Sequence, residues 1–298
     1  GTRVGLLVSN RPEWIFGMFG SAMAGAVSVA LSTFSTRQEL EYQLHQADVE
    51  VLIMEAKVAS NDFDRDIFEL CPALSAATPG QLLADKLPFL RRVVCLDKDQ
   101  CRPGLQDWDE FLAGAEQIPA AIARATADCS SPVDLGLIFF SSGSTAQPKA
   151  IQQTHRAATL QCWRFGRWYE TDSSVRTWSA NGFFWSGNFA MAFGSTLSVG
   201  GCLVLQRYFD PEEALQLIQR ERIHPGSDTC RNGPRGKTES SSEAVTLIDA
   251  KNRRRFAIHD RRLHADSAEP MRQRRASQER ATYCLLSSLR NSFNAVSN

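Results

Sequence analysis

Apolar residues run through the first part of the chain in short blocks separated by longer, mixed stretches. Residues 4–8, 27–31 and 49–54 are apolar at nearly every position, the pattern of strands buried on both faces. After the first block, Ser9, Asn10 and Pro12 make a turn. A dense apolar stretch from Trp14 to Ala24 then predicts a helix beginning near Glu13, with Pro12 in its first turn, where its missing N–H would be unpaired anyway. Gly25-Ala26 ends that helix. Thr36 followed by Glu39 has the spacing of a capping box and opens a second helix through Gln46. Strand, helix, strand, helix, strand in the first 55 residues predicts a parallel sheet with helices packed on it.

Residues 56–130 are less regular and are punctuated by Pro72, Pro79, Pro88 and Pro103; residues 91–96 predict one more strand and 107–113 a short helix. Residues 135–140 predict a strongly apolar strand that runs straight into Ser141-Ser142-Gly143-Ser144-Thr145-Ala146-Gln147-Pro148-Lys149-Ala150, with a helix from about Thr154 to Tyr169. Residues 196–205, with Gly200-Gly201, read as two short strands and a turn. Asp210 caps a further helix to about Glu221, with Pro211 at its first position and Glu212 and Glu213 in its first turn. Beyond Ile223 the periodicity fades, and arginine clusters such as Arg253-Arg254-Arg255 appear. Leu285, Leu286 and Leu289 are too few for a core.

Composition sharpens that boundary. The formal net charge is zero, yet residues 225–298 carry 14 Lys and Arg against 8 Asp and Glu, net +6, while residues 1–224 are net −6. The eight cysteines form no CxxC pair and no zinc or haem spacing, so scattered reduced thiols are expected. There is no secretory pattern and no run of about 18 apolar residues, so a cytoplasmic chain without a transmembrane helix is expected. The apolar strand begins almost at Gly1, and a preceding segment is expected.

The chemistry-bearing stretch is the loop after residues 135–140. Ser and Thr hydroxyls can donate to phosphate oxygens, Gly143 lets backbone approach an anion, successive N–H groups can form an anion nest, and Lys149 supplies a point charge. Its place after a strand of an α/β sheet is where such folds bind ligands. It is not a Walker A loop, since GxxxxGK[ST] is absent, and a Ser/Gly/Thr-rich turn can also be only a turn.

The same loop resembles the signature of the adenylate-forming (AMP-dependent synthetase/ligase) superfamily, [ST]SG[ST]TGxPKG, at eight of ten positions. Flanking residues agree: Arg3 to Asn10 with Pro12-Glu13-Trp14, Ala24 to Val27, Asp134 to Phe140, Thr154-His155, Phe183-Phe184-Trp185-Ser186-Gly187-Asn188 and Phe209-Asp210-Pro211-Glu212 resemble family blocks in order. The resemblance covers residues 1–224. It implies an α/β N-terminal domain, incomplete here, with parallel sheets flanked by helices. It also implies an acyl-CoA synthetase reaction in which a carboxylic acid and ATP, with Mg2+, give acyl-AMP, and CoA then forms the thioester. By that resemblance Ser141, Ser142, Gly143, Ser144, Thr145 and Lys149 bind nucleotide phosphates. Phe184, Trp185, Gly187 and Asn188 border the acyl substrate, with core packing the other reading of these aromatics, and His155 orders local structure. No nucleic-acid partner is expected, and no catalytic residue is assigned.

Three positions depart from the pattern: Ala146, Ala150 and Asn188 stand where the family has glycine, and alanine would strain the loop if either loop position needs a positive φ. After residue 224 the sequence shows no YGxTE motif, no ribose-binding aspartate motif and no domain bearing a catalytic lysine. Residues 225–298 are expected to be a non-homologous basic tail, disordered or out of frame, and the chain an inactive fragment of its lineage. A CoA-independent adenylating enzyme and a nucleotide- or acyl-binding remnant are the alternatives.

Overall fold

The continuous apolar blocks pair side by side because each must bury both faces. A computed structural model of the chain describes residues 1–100, 102–141 and 147–223. Its strands are β1 (Arg3–Leu7), β2 (Val27–Ala30), β3 (Val51–Met54), the short β4 (Lys57–Val58) and β5 (Asn61–Asp62), β6 (Arg92–Cys95), β7 (Gln106–Asp107), β8 (Leu135–Ser141), β9 (Lys149–Thr154), β10 (Arg176–Ser179) and β11 (Cys202–Leu205). Its α-helices are α1 (Pro12–Met23), α2 (Arg37–Gln46), α3 (Phe63–Leu70), α4 (Trp108–Ala113), α5 (Ala120–Asp128), α6 (His155–Trp168), α7 (Ser186–Asn188), α8 (Ser195–Ser198) and α9 (Pro211–Arg220). The described residues all belong to one of the two units into which the chain divides, Gly1–Thr229.

Seven strands form a sheet in the order β7-β6-β3-β1-β2-β8-β9, parallel throughout except for the antiparallel β8–β9 pair. β10 and β11 pair in parallel as a second sheet, and β4 and β5 make a small antiparallel hairpin. Side chains alternate across the large sheet. Leu7, Leu52, Met54, Val93 and Ile138 face a core shared with Leu40 and Leu44 of α2 and Phe63 and Ile67 of α3. Leu6, Ile53, Val94, Leu137 and Phe139 face the other, shared with Trp14 and Met18 of α1, Cys162 of α6, and Phe183, Phe189 and Phe193. This is the helix-covered, parallel-dominated α/β architecture expected from the alternating pattern.

Local chemistry sets the helix ends. Thr36 and Glu39 form the reciprocal capping box at the start of α2. The Asp210 carboxylate accepts from the Glu213 N–H at the start of α9, as its spacing predicted. α1 ends with Gly25 at φ +67°, the Gly25 N–H on the Ala22 carbonyl and the Ala26 N–H on the Ser21 carbonyl, a termination that needs the left-handed residue glycine tolerates.

Two expectations are corrected. Residues 196–205 are not two strands: 195–198 are helical and continue a π-helical turn, Phe189–Gly194, leaving only β11. The Ser195 hydroxyl donates to the Met191 carbonyl at 2.6 Å and Thr196 to the Thr177 hydroxyl at 2.7 Å. The Ser195 hydroxyl is thus satisfied within the helix and the Thr196 hydroxyl by Thr177 of β10, and that packing overrides the strand preference of Thr196. Cys95 is disulfide-bonded rather than reduced, whereas Cys71, Cys129, Cys162 and Cys202 are free.

Burial pushes the Cys162 thiol up to about 12, and burial, aided by Glu41, pushes Cys71 up to about 11. Cys129 and Cys202 are exposed. At mild alkaline pH an alkylating reagent should therefore modify Cys129 and Cys202 quickly and reach Cys71 and Cys162 only after denaturation, because the thiolate is the nucleophile. Peptide mapping reads this out, and rapid native labelling of Cys162 would contradict the packing described.

Candidate functional site

Parallel pairing brings the carboxyl ends of the central strands to one edge. Leu6 lies opposite Ala30, Leu7 opposite Met54, Met54 opposite Cys95 and Ala30 opposite Phe139. The turns that leave this edge carry Ser9 and Asn10 after β1, Ser32 to Phe34 after β2, Glu55 after β3 and Ser141 at the end of β8. In open α/β sheets this is the edge where ligands bind.

The expected phosphate loop is the connection of a β-hairpin: Ser141, partly buried, lies directly across from exposed Lys149. Ser142, Gly143, Ser144 and Thr145 lie outside the described residues, as does Ala146. The Lys149 ammonium and the Ser141 hydroxyl thus stand at the two roots of one loop, a pairing of cation and hydroxyl that fits a polyphosphate. Ala150 sits in β9 opposite Phe140 and is not among the residues with positive φ, so alanine imposes no left-handed strain there. His155 packs its ring over Gly136 of β8, where an added Cβ would meet it at 2.5 Å, which ties α6 to the strand that carries the loop.

The aromatic stretch is brought to the same end of the sheet. Phe184 is buried and meets exposed Phe34, from the turn after β2, with ring centroids 5.7 Å apart. Phe189 lies 5.4 Å from Phe139 of β8. Trp185 is 62% exposed, and Gly187 has open space where a side chain would project. Asn188 is buried: its carboxamide accepts from the Ser179 hydroxyl at 2.7 Å and donates to the Asn181 carbonyl at 2.6 Å. Of the four expected acyl-site residues, Trp185 and Gly187 are open to solvent, and Phe184 and Asn188 pack inside.

Sequence reading assigned no role to the polar seam that joins the carboxyl edges of the two sheets. The Asn10 side chain donates to the Asn181 carbonyl at 2.8 Å, across from the end of β10. Glu55, fully buried, accepts from the Ser9 hydroxyl at 2.7 Å and from Arg207, just past β11, at 2.7 Å. Arg207 also donates to the Ser9 hydroxyl at 3.2 Å. Arg11 stands 3.7 Å from Glu55 and bonds Asp97 and Glu13. Burial opposes the Arg11 charge, but Glu13, Glu55 and Asp97 outweigh it and hold the guanidinium above its ordinary value. Burial, and then the Glu55 charge, pushes the Tyr208 phenol up. The Asn10 carboxamide oxygen and the Gln206 carboxamide oxygen are buried there without a partner among the described residues. A carboxylate directly after a strand read as fully buried was the signal that could have exposed this seam.

Among the described residues no group of three His, Cys, Asp or Glu lies together as a metal site. No described helix is long and apolar enough to cross a membrane.

A family model described as AMP-binding enzyme matches residues 1–225. A methyl-dioxo-octahydro-indenyl-propanoyl:CoA ligase of Mycobacterium tuberculosis is 30% identical over 230 residues, covering 76% of this chain and 41% of that protein. The mitochondrial medium-chain acyl-CoA ligase ACSF2 of Danio rerio is 29% identical over 157 residues, covering 52% of this chain and 25% of the other. The solved anthranilate CoA ligase AuaEII, in complex with anthranoyl-AMP, superposes with a TM-score of 0.58 at 23% identity over 74% of this chain and 38% of that one. The chain thus spans well under half the length of the relatives it matches. With the signature loop rooted in β8 and β9, and the match running unbroken from Gly1 into residue 225, the chain belongs to the AMP-binding, adenylate-forming enzyme family.

Proposed function

We propose that residues 1–224 are the nucleotide-phosphate and acyl-binding part of an ATP-dependent acyl-CoA synthetase. The observation that carries this reading is the hairpin that sets Lys149 across from Ser141 at the ligand edge of the sheet, closing a loop of family sequence. Lys149 supplies a point charge to the polyphosphate of ATP. Ser141, Ser142, Ser144 and Thr145 supply hydroxyl donors, and Gly143 allows close backbone approach. Phe34, Phe184 and Trp185 offer an apolar border beside that edge, with Gly187 leaving room for an acyl chain, while Asn188 positions the segment through Ser179 and Asn181. In the reaction of this lineage a carboxylate oxygen attacks the α-phosphorus of ATP and pyrophosphate leaves. The CoA thiol then attacks the acyl carbon of acyl-AMP, releasing AMP and the thiol proton. Mg2+ would accompany ATP as its counter-ion.

This chain binds nucleotide without completing that reaction. Residues 225–298 contain none of the later motifs, and the family match stops at 225, which supports reading them as a separate basic tail. Among the alternatives, a CoA-independent adenylating enzyme and a nucleotide- or acyl-binding remnant, no observation favours the first.

Displacement of a fluorescent ATP analogue tests the proposal. ATP should compete, and Lys149→Ala should weaken it about tenfold or more, the loss of one charge-assisted contact. Carboxylate-dependent exchange of pyrophosphate into ATP should be absent. Equal affinity in Lys149→Ala would remove the loop from the site, and exchange above background would overturn the inactive reading.

A further inference from the structure

The turn after β2 inverts the usual order of burial. Thr33 and Ser35 are buried, while Phe34 between them is 74% exposed. Polar contacts on both sides hold it that way. The Phe34 N–H donates to the Ser32 hydroxyl at 3.2 Å, the Ser35 N–H to the Ser32 carbonyl at 3.1 Å, and Asn61 to the Thr33 carbonyl at 2.9 Å. The Gln43 carboxamide donates to the Ser35 hydroxyl at 3.2 Å, and Thr36 caps α2 directly afterwards. A phenyl ring is thereby fixed outward with most of its surface in water, an apolar cost that a ligand laid against it would relieve. The ring stands at 87° to that of buried Phe184, with centroids 5.7 Å apart. β2 lies beside β8, with Ala30 opposite Phe139, so this turn leaves the sheet next to the strand that ends in Ser141.

We propose that Phe34 is a specificity-determining residue of the acyl site and makes that site selective for flat aromatic carboxylic acids. The inference rests on the acyl-binding reading above and adds the substrate class to it. Phe34 and Trp185, both more than half exposed, offer open ring surface on either side of the buried Phe184 contact in sequence and space. A planar aromatic ring gains on such surface beyond its buried area, through offset or edge-to-face pairing. A saturated ring of the same size gains the area alone. A flexible alkyl chain must in addition be ordered against the wall, and a wall pinned by Ser32, Asn61 and Gln43 does not move to meet it.

The test is a saturation-transfer NMR titration of the full chain, in the presence of ATP, with benzoate, cyclohexanecarboxylate and hexanoate. Benzoate should bind about fivefold more tightly than either of the others, the increment of a ring–ring pair. Phe34→Leu keeps an apolar side chain and should abolish that preference, whereas Phe34→Tyr keeps the ring and should retain it. The side chain is exposed, so both variants should fold, which circular dichroism checks. Equal binding of the three acids by the parent chain would leave the acyl site standing and overturn its selectivity, and so would a preference that survives in Phe34→Leu. Binding of none of the acids, with ATP still displacing its fluorescent analogue, would overturn the acyl-binding reading and this inference with it.

Discussion

Arg207→Met should lower the free energy of unfolding by about 3 kcal/mol, measured by urea denaturation followed by circular dichroism. The cost falls on the partner more than on the arginine. Arg207 is 43% exposed and regains water when its contacts break, but Glu55 has no exposed surface. Without Arg207 its carboxylate keeps the Ser9 hydroxyl and N–H at 2.7 and 3.2 Å, while the nearest guanidinium, that of Arg11, stands 3.7 Å away and is shared with Glu13 and Asp97. A buried charge with weakened pairing is the expensive state, and removing the charge as well should recover most of the loss. Glu55→Leu/Arg207→Met is therefore expected to be more stable than Arg207→Met alone. A loss below about 1 kcal/mol in the single variant, the level of a surface ion pair, would mean that Arg11 takes over and that the β11 contact is replaceable. The seam also holds the Ser9-Asn10 turn against the second sheet, so nucleotide affinity should fall along with stability if that turn belongs to the site.

Much of the architecture was legible because both faces of the large sheet are buried. Residues such as Leu6, Leu7, Leu52 and Ile53 have no polar alternation to mislead, and Gly25, Thr36 and Asp210 mark helix ends by chemistry that acts within a few residues. The elements missed are those whose stability comes from elsewhere. β9 is an edge strand with exposed Lys149, Ile151 and Gln152, and its sequence has no buried face to announce it. α5 buries none of its residues, so it leaves no apolar stripe. α3 was missed too, although Phe63, Ile67 and Leu70 stand at helical intervals, because charged residues break up the short run between them. In the site, the signature loop and Lys149 were visible as a local run. The Glu55–Arg207 pair, separated by 152 positions, exists only once two sheets meet. The aromatic stretch divides as neither simple reading had it, with Phe183, Phe184 and Phe189 in the core and Trp185 in solvent.

That division rests on Trp14, and Trp14→Ala should cost about 4 kcal/mol, enough to unfold a marginal domain. Trp14 is fully buried in α1, with its ring 5.0 Å from Phe183, 6.2 Å from Phe193 and 6.5 Å from Phe189. It is the contact through which α1 holds both ends of the segment that turns Trp185 outward. The alanine variant leaves a cavity among rings too rigid to collapse into it. Phenylalanine is the discriminating substitution. The indole Nε1–H of Trp14 is buried without a partner among the described residues, a cost of about 1–3 kcal/mol that phenylalanine does not carry. Relief of that cost offsets the lost ring volume, so Trp14→Phe should stay within about 1 kcal/mol of the parent. Urea denaturation of both variants decides the matter. If Trp14→Phe proves as damaging as Trp14→Ala, the indole N–H has a partner in solution. If both are mild, the segment 183–193 holds itself in place, and the exposure of Trp185 is set by its own turn.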